Sequence, residues 1–333
     1  MPFVLHKWAP GWGLPSVSAA CTCVEAYLRL AGADVQVQEY SGARSSPTGQ
    51  LPALERDDEL VKGGVDEDSC AQAIIDHLAA RGPNLDAHLS AAKQSELAAF
   101  SALVHARLEP ATLASAWAEG ASYRGHTRAA YGAGLPLPLS VLMPWVQRRA
   151  ALHRLAPLTP EQAYIGAGKA YAAIAARLRS SSAAGGHFFF GVRPCSLDAL
   201  LFAHLLHHRS APVSAPELRQ QFDRHPALVG YVEHILQSVF AAPLPPAPAI
   251  TSAEWGARAE PGNGGAIPRA GAAKRPPKSA EEEERERNNR LWMGGVAAAM
   301  AAYVLLSGTY LSVGVDDEYD EYVPDGGAFE ADE

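Results

Sequence analysis

Leu291 to Val315, LWMGGVAAAMAAYVLLSGTYLSVGV, is a run of 25 residues without a charge. As a helix it extends about 37 Å at about 1.5 Å per residue, enough to cross a hydrocarbon core of about 30 Å with some tilt. Trp292 and Tyr310 stand near its two ends, where aromatic rings favour the membrane interface. Arg285, Arg287 and Arg290 precede the run, and residues 316–333 hold nine acids and no base. A buried core helix is the competing reading, but it does not explain a run so long and so abruptly bounded. The sequence therefore predicts a body held at a membrane by its C-terminal end. Basic residues upstream of a span favour keeping that side in the cytosol. Only 18 residues follow the run, so insertion is expected after release from the ribosome, as a tail anchor. Gly294, Ala298 and Ala302 form a small-xxx-small face that either packs on another membrane helix or faces lipid.

The net charge of −8 belongs to the acidic tail: the preceding residues carry 28 bases against 27 acids. A nearly neutral body gives no electrostatic reason to expect nucleic acid. The four cysteines, Cys21, Cys23, Cys70 and Cys195, form no C-x-x-C pair and read as reduced thiols. Met1–Pro2 runs directly into FVLHKW, with no secretory or Arg/Ser-rich leader in between. Upstream of the apolar run, PLPPAP, EPGNGG and KRPPKS punctuate residues 241–280 with Pro and Gly, which predicts a linker. The expected plan is 1–90, 91–240, a linker with a charged juxtamembrane end over 241–290, the anchor over 291–315 and the tail over 316–333.

Within the first 90 residues the pattern alternates. FVLHKW and DVQVQEY read as strands, and GQLPALE and DELVKG as two more joined by a turn. Between the first two, apolar positions from Val17 to Ala31 fall at helical spacing from Ser16 to a stop at Gly32. A second helix is expected over Ala71–Ala80. The order is β-α-β-β-β-α, that of a thioredoxin-like domain, with a right-handed crossover between the first two strands. Residues 91–240 show only helical stripes, such as Tyr164, Tyr171, Ile174 and Leu178, or Leu228, Tyr231, Val232 and Ile235. The fold class is α/β plus all-α, a thioredoxin-like domain followed by a helical one.

A small βαβ–ββα domain followed by a helical domain is the plan of glutathione transferases. GWGLPSVS, GQLPAL and HFFFGVRPCSLDALLFAHL together resemble metaxins, tail-anchored relatives of those enzymes at the mitochondrial outer membrane. The resemblance covers about residues 3–240 and the anchor. It implies a non-enzymatic subunit of the sorting and assembly machinery that inserts β-barrel precursor proteins. The partners it implies are the barrel-forming core subunit and a second metaxin-like subunit, with the body on the cytosolic face and the tail in the intermembrane space. Pro52 resembles the family's cis-proline, and Asp198 the buried capping aspartate of the helical domain. Cys195 stands where transferases carry Ser or Thr, so that half of the reciprocal cap is weakened, with Ser196 as a possible substitute one residue on.

A transferase needs a hydroxyl that lowers the glutathione thiol pKa, a backbone dock beside the cis-proline, and an acidic-plus-serine pair at a helix N-terminus. Ser16 and Leu51–Pro52 are the vestigial candidates for the first two. The third fails, because Cys70–Ala71 stands where that pair is expected and Asp68–Ser69 lies two residues early. Ser16 or Ser18 competes as a helix cap, with Ser16 favoured, Pro15 fixing the chain before it, and Trp12 and Leu14 packing the loop. His204, His207 and His208 share one helix at metal-like spacing, but they lie on its leucine stripe without a carboxylate or thiol motif. No catalytic residue, cofactor or metal is predicted. A tail-anchored glutathione transferase, or a transferase-like protein that shapes mitochondria, is the alternative.

Overall fold

The structure, a computed structural model, describes residues 2–57, 59–61 and 63–240. The linker, the Leu291–Val315 run with Gly294, Ala298 and Ala302, and the acidic tail lie outside the described residues. Among the described residues no helix is long and apolar enough to cross a membrane.

Four strands form one sheet in the order β2-β1-β3-β4: β1 Phe3–Trp8, β2 Val35–Tyr40, β3 Ala53–Arg56 and β4 Glu59–Val61. β1 pairs parallel with β2, Phe3 opposite Val35, and antiparallel with β3, Leu5 opposite Leu54. β1 is interior to the sheet and buried along nearly its whole length, His6 and Lys7 included. β2 alternates between half-buried and exposed positions, as an edge strand with one wet face does. Burying Lys7 requires a counter-charge: its ammonium sits 2.8 Å from the Glu25 carboxylate and donates to the Pro15 carbonyl. Glu25 is held in turn by Arg29, four residues on along the same helix.

α1, Ala19–Leu30, connects β1 to β2 and is buried almost throughout. Its C-terminal end turns at Gly32, whose φ of +64° lets the Ala33 amide reach back to the Leu28 carbonyl. α2 spans Glu67–Arg81, four residues longer at its start than the expected Ala71–Ala80. The reason is a capping box: the Asp66 carboxylate accepts the Ser69 N–H at 2.8 Å, and the Ser69 hydroxyl accepts the Asp66 N–H at 3.1 Å.

The second half is helical among the described residues. α3 (Ala91–Leu103), α4 (Glu109–Leu113), α5 (Gly120–Ser122) and α6 (Arg128–Gly132) are joined by wide π-type turns at Val104–Leu108, Ala114–Ala118 and Tyr123–Thr127. α7 (Leu139–Leu155), α8 (Pro160–Ala183), α9 (Ser196–Ser210), α10 (Pro216–Asp223) and α11 (Pro226–Val239) follow. α9 is the central post, with Leu197, Leu201, Phe202 and Leu205 at zero exposure. It packs on α1, so the two halves share one apolar core and lie in one compact unit.

Candidate functional site

The loop between β1 and α1 is where an activating hydroxyl would stand. Gly11–Leu14 is a tight turn closed by the Leu14 N–H on the Gly11 carbonyl at 2.9 Å. Its central residues, Trp12 and Gly13, both lie in the left-handed region, at φ 61° and 74°. For Trp12 that costs on the order of 1 kcal/mol, which is offset by burying its ring edge-on against His207. Ser16 is fully buried, and its hydroxyl accepts the Ser18 N–H at 3.2 Å. The expected Ser16 cap is corrected by the structure: α1 begins at Ala19, and Ser18 Oγ is the acceptor for the Cys21 N–H. Ser16 cannot reach that donor, because its oxygen is already turned into the loop.

Ser18 points its hydrogen at Glu67, and this contact is the centre of the site. Glu67 is the first residue of α2. One of its oxygens accepts from Ser18 Oγ at 2.5 Å and the other from the Trp8 indole at 2.8 Å. Burial is the main force raising the Glu67 pKa, to about 7. Beside it, Arg154 of α7 bridges Asp66, Asp68 and Glu109. Burial and then Glu109 push Asp68 up to about 6, against the pull of Arg154. Asp66, Glu67, Asp68 and Arg154 line one wall of a cleft of about 410 Å³ between the two halves. The other walls carry Trp8, Trp117, Tyr131, Leu135 and Met143, with Leu51 at the rim. The Leu51–Pro52 peptide beside it is cis.

The chemistry of this cleft is opposite to thiol activation. Its carboxylates favour neutral neighbours. Burial and then Glu67 push the Cys21 thiol to about 12. Cys70 is pushed to about 11 by burial and then by Asp66, Glu67 and Asp68. Tyr131, the cleft hydroxyl, is driven well above its ordinary range by burial and by Glu67. Asp68–Ser69 does not restore the missing acid–serine pair. Arg154 holds Asp68, and the capping box uses the Ser69 hydroxyl. Cys70 donates its thiol to the Gly63 carbonyl at 2.6 Å instead of facing a ligand.

Asp198 sits at zero exposure at the start of α9. Its carboxylate accepts from Phe189 N and Cys195 N, both at 2.8 Å, from Tyr231 Oη at 2.7 Å and from the Cys195 thiol at 3.0 Å. It therefore ties the HFFFG loop, the α9 N-terminus and α11 together. Cys195 remains the N-cap position; the start does not shift to Ser196, whose N–H is taken by Asp86 at 2.8 Å. The three α9 histidines are buried, and burial lowers their pKa values, to about 4 for His204 and about 3 for His207. Thr112 Oγ1 lies 2.9 Å from His204 Nδ1 and 2.8 Å from His208 Nε2, and Tyr171 Oη lies 2.7 Å from His208 Nδ1. This is a neutral hydrogen-bonded core network.

Sequence reasoning missed Glu67 and Arg154. A D-x-x-S cap was legible at Asp66–Ser69. Nothing linear joins Glu67 to Trp8 and Ser18, which are 59 and 49 residues away.

The four-stranded sheet, the helical half and the cleft between them define a glutathione-transferase-like body. Residues 167–235 match the family model "Glutathione S-transferase, C-terminal domain", and residues 21–148 match that of "Outer mitochondrial membrane transport complex protein". Metaxin-1 of Mus musculus is 32% identical over 250 residues, covering 72% of this chain and 75% of its own length. Metaxin-1 of Homo sapiens is 32% identical over 259 residues, 74% of this chain and 53% of that protein. Metaxin-3 of Xenopus laevis is 30% identical over 244 residues, 72% and 77% of the two chains. Among solved structures, the glutathione transferase GSTFuA2 of Phanerochaete chrysosporium aligns with a TM-score of 0.49 at 14% identity, covering 72% of this chain and 98% of the other. This chain belongs to the metaxin family.

Proposed function

We propose that this chain is a non-catalytic subunit of the mitochondrial outer-membrane sorting and assembly machinery and supports insertion of β-barrel precursors. Its partners in this reading are the barrel-forming core subunit and a second metaxin-like subunit. The body faces the cytosol, residues 291–315 anchor it, and the acidic tail lies in the intermembrane space. Family membership and the transport-complex family model support the location and the complex. The observation that carries the non-catalytic part is the carboxylate-rich wall of the cleft. Glu67 is bound by Trp8 and Ser18, and three further carboxylates are gathered on Arg154. A thiol bound there would be pushed toward its neutral form, whereas transferase chemistry needs the thiolate.

The decisive experiment is affinity isolation of the full chain from mitochondria in mild detergent. An outer-membrane barrel protein is expected to co-purify; its absence would remove the assembly role. The transferase alternative draws on the cleft remaining open beside the cis Leu51–Pro52 peptide. Calorimetric titration with glutathione should give no saturable heat, and a saturable isotherm lost on filling the cleft with Ala151→Trp would favour the enzyme.

A further inference from the structure

Gly120 to Pro160 is a stretch of 41 residues without an acid, carrying five arginines and two histidines, while the rest of residues 1–240 carries 15 bases against 20 acids. The same stretch holds six of the nine large apolar side chains exposed among the described residues: Leu137, Val141, Trp145, Val146, Leu152 and Leu158. Two of the arginines serve the fold. Arg148 donates to the Trp117 carbonyl at 2.8 Å, and Arg154 holds the carboxylate cluster. Arg124, Arg128 and Arg149 are exposed and make no ion pair among the described residues.

α7 divides these roles by face. Met143, Gln147, Ala151 and Arg154 follow helical spacing and line the cleft. Val141, Trp145, Arg149 and Leu152 form the adjacent row and face outward, with Trp145 45% exposed. An outward row of aliphatic residues, a tryptophan and an arginine, with no acid near it in the chain, has the composition of a helix that lies in a membrane interface.

We propose that the outward row of α7 is a membrane-contact surface that seats the body on an anionic bilayer. The inference rests on the membrane location proposed above. It adds a second contact, made by the folded body and independent of the C-terminal run. Charge complementarity selects the occupant. Anionic headgroups pair with Arg149 in the row, and the exposed Arg124 and Arg128 add positive charge from the same stretch, while the apolar row enters the headgroup boundary. The chain's own acidic tail has the right charge, but an anchor at 291–315 places it across the bilayer from the body. The 50 residues of 241–290 extend to at most about 170 Å, so a body tethered through them reaches the surface.

The test reconstitutes the full chain into phosphatidylcholine vesicles containing one third phosphatidylglycerol, with and without brominated acyl chains. Trp145 emission is taken as the difference between wild type and Trp145→Phe. Bromination should quench this component at least about twofold. The quenching should vanish in pure phosphatidylcholine and in high salt. Arg149→Glu should weaken the body's surface contact about thirtyfold, and Arg149→Gln about fivefold, since each surface arginine contributes about a factor of five. A chain that floats with the vesicles while Trp145 stays unquenched overturns this inference and leaves the membrane location standing. A chain that does not float overturns both. Shielding of Trp145 that is the same in neutral vesicles and lost on deleting 316–333 assigns the surface to the acidic tail and overturns the proposal.

Discussion

Replacing Asp198 by alanine tests whether one buried carboxylate holds the helical half together. The change leaves three strong buried donors, Phe189 N–H, Cys195 N–H and Tyr231 O–H, and the weaker Cys195 S–H without their acceptor. An orphaned buried donor costs about 1–3 kcal/mol, which sums to about 3–9 kcal/mol. Part of that returns, because burial raises the Asp198 pKa and so the native charge itself carries a desolvation cost. A loss of about 3–5 kcal/mol is expected, against a total of about 5–15 kcal/mol for an ordinary domain. Asp198→Asn keeps the shape and one acceptor oxygen but turns an amide donor toward one of the three N–H or O–H groups. It should cost about 1–3 kcal/mol. Denaturant unfolding of the full chain in detergent, followed by tryptophan fluorescence, gives the global figure. The Cys195 thiol, fully buried in the native state, gives a local one through its labelling rate by a thiol reagent. Alanine should speed that labelling by at least about a hundredfold at a loss of about 3 kcal/mol. A variant within about 1 kcal/mol of wild type, with unchanged labelling, would refute the tie.

Glu67 has a folded-state pKa of about 7 against an ordinary 4.5. The folded protein therefore holds this proton more tightly than the unfolded chain, so the contribution is full below about 4.5 and is lost as pH rises to about 7. The ceiling is about 3 kcal/mol, and the half-open cleft reduces it to about 1–2 kcal/mol. Asp68 adds the same sign between about 4 and about 6. Stability measured at pH 5 and pH 8 should show a shallower decline for Glu67→Gln than for wild type; equal slopes would exclude Glu67 as a titrating group. Lys7→Met strands one oxygen of the buried Glu25 carboxylate, with Arg29 still on the other, and should cost about 2–4 kcal/mol. The double change Lys7→Met with Glu25→Leu should recover most of that loss in the same unfolding assay, and a fully additive double variant would contradict a coupled pair.

Much of the fold was legible in the chain because its signals are local. A short apolar run gave β1, alternation gave β2, helical stripes gave α8, α9 and α11, and punctuation at Gly32 ended α1. The α2 start was misplaced by four residues because its first turn, Glu67–Ser69, has no apolar stripe, and the capping box that starts it is polar. Ser16 and Ser18 both precede the same apolar run; the sequence favours Ser16 as the cap of α1, and the structure reverses the order. The choice depends on the φ/ψ path through Trp12–Pro15.

The sequence by itself determined the family and the element order, because composition, periodicity and short strings are properties of neighbours along the chain. It also determined an uncharged C-terminal run of membrane-spanning length and an acid-free stretch over 120–160. The tertiary structure decided what the cleft can do. Glu67, Trp8, Ser18 and Arg154 meet only when α2 and α7 close on the sheet, and burial there, with the neighbouring carboxylates, raises the pKa values of Asp68, Cys70 and Tyr131. Electrostatic coupling depends on distance in space, and residues 59 and 86 positions apart have none until the chain folds.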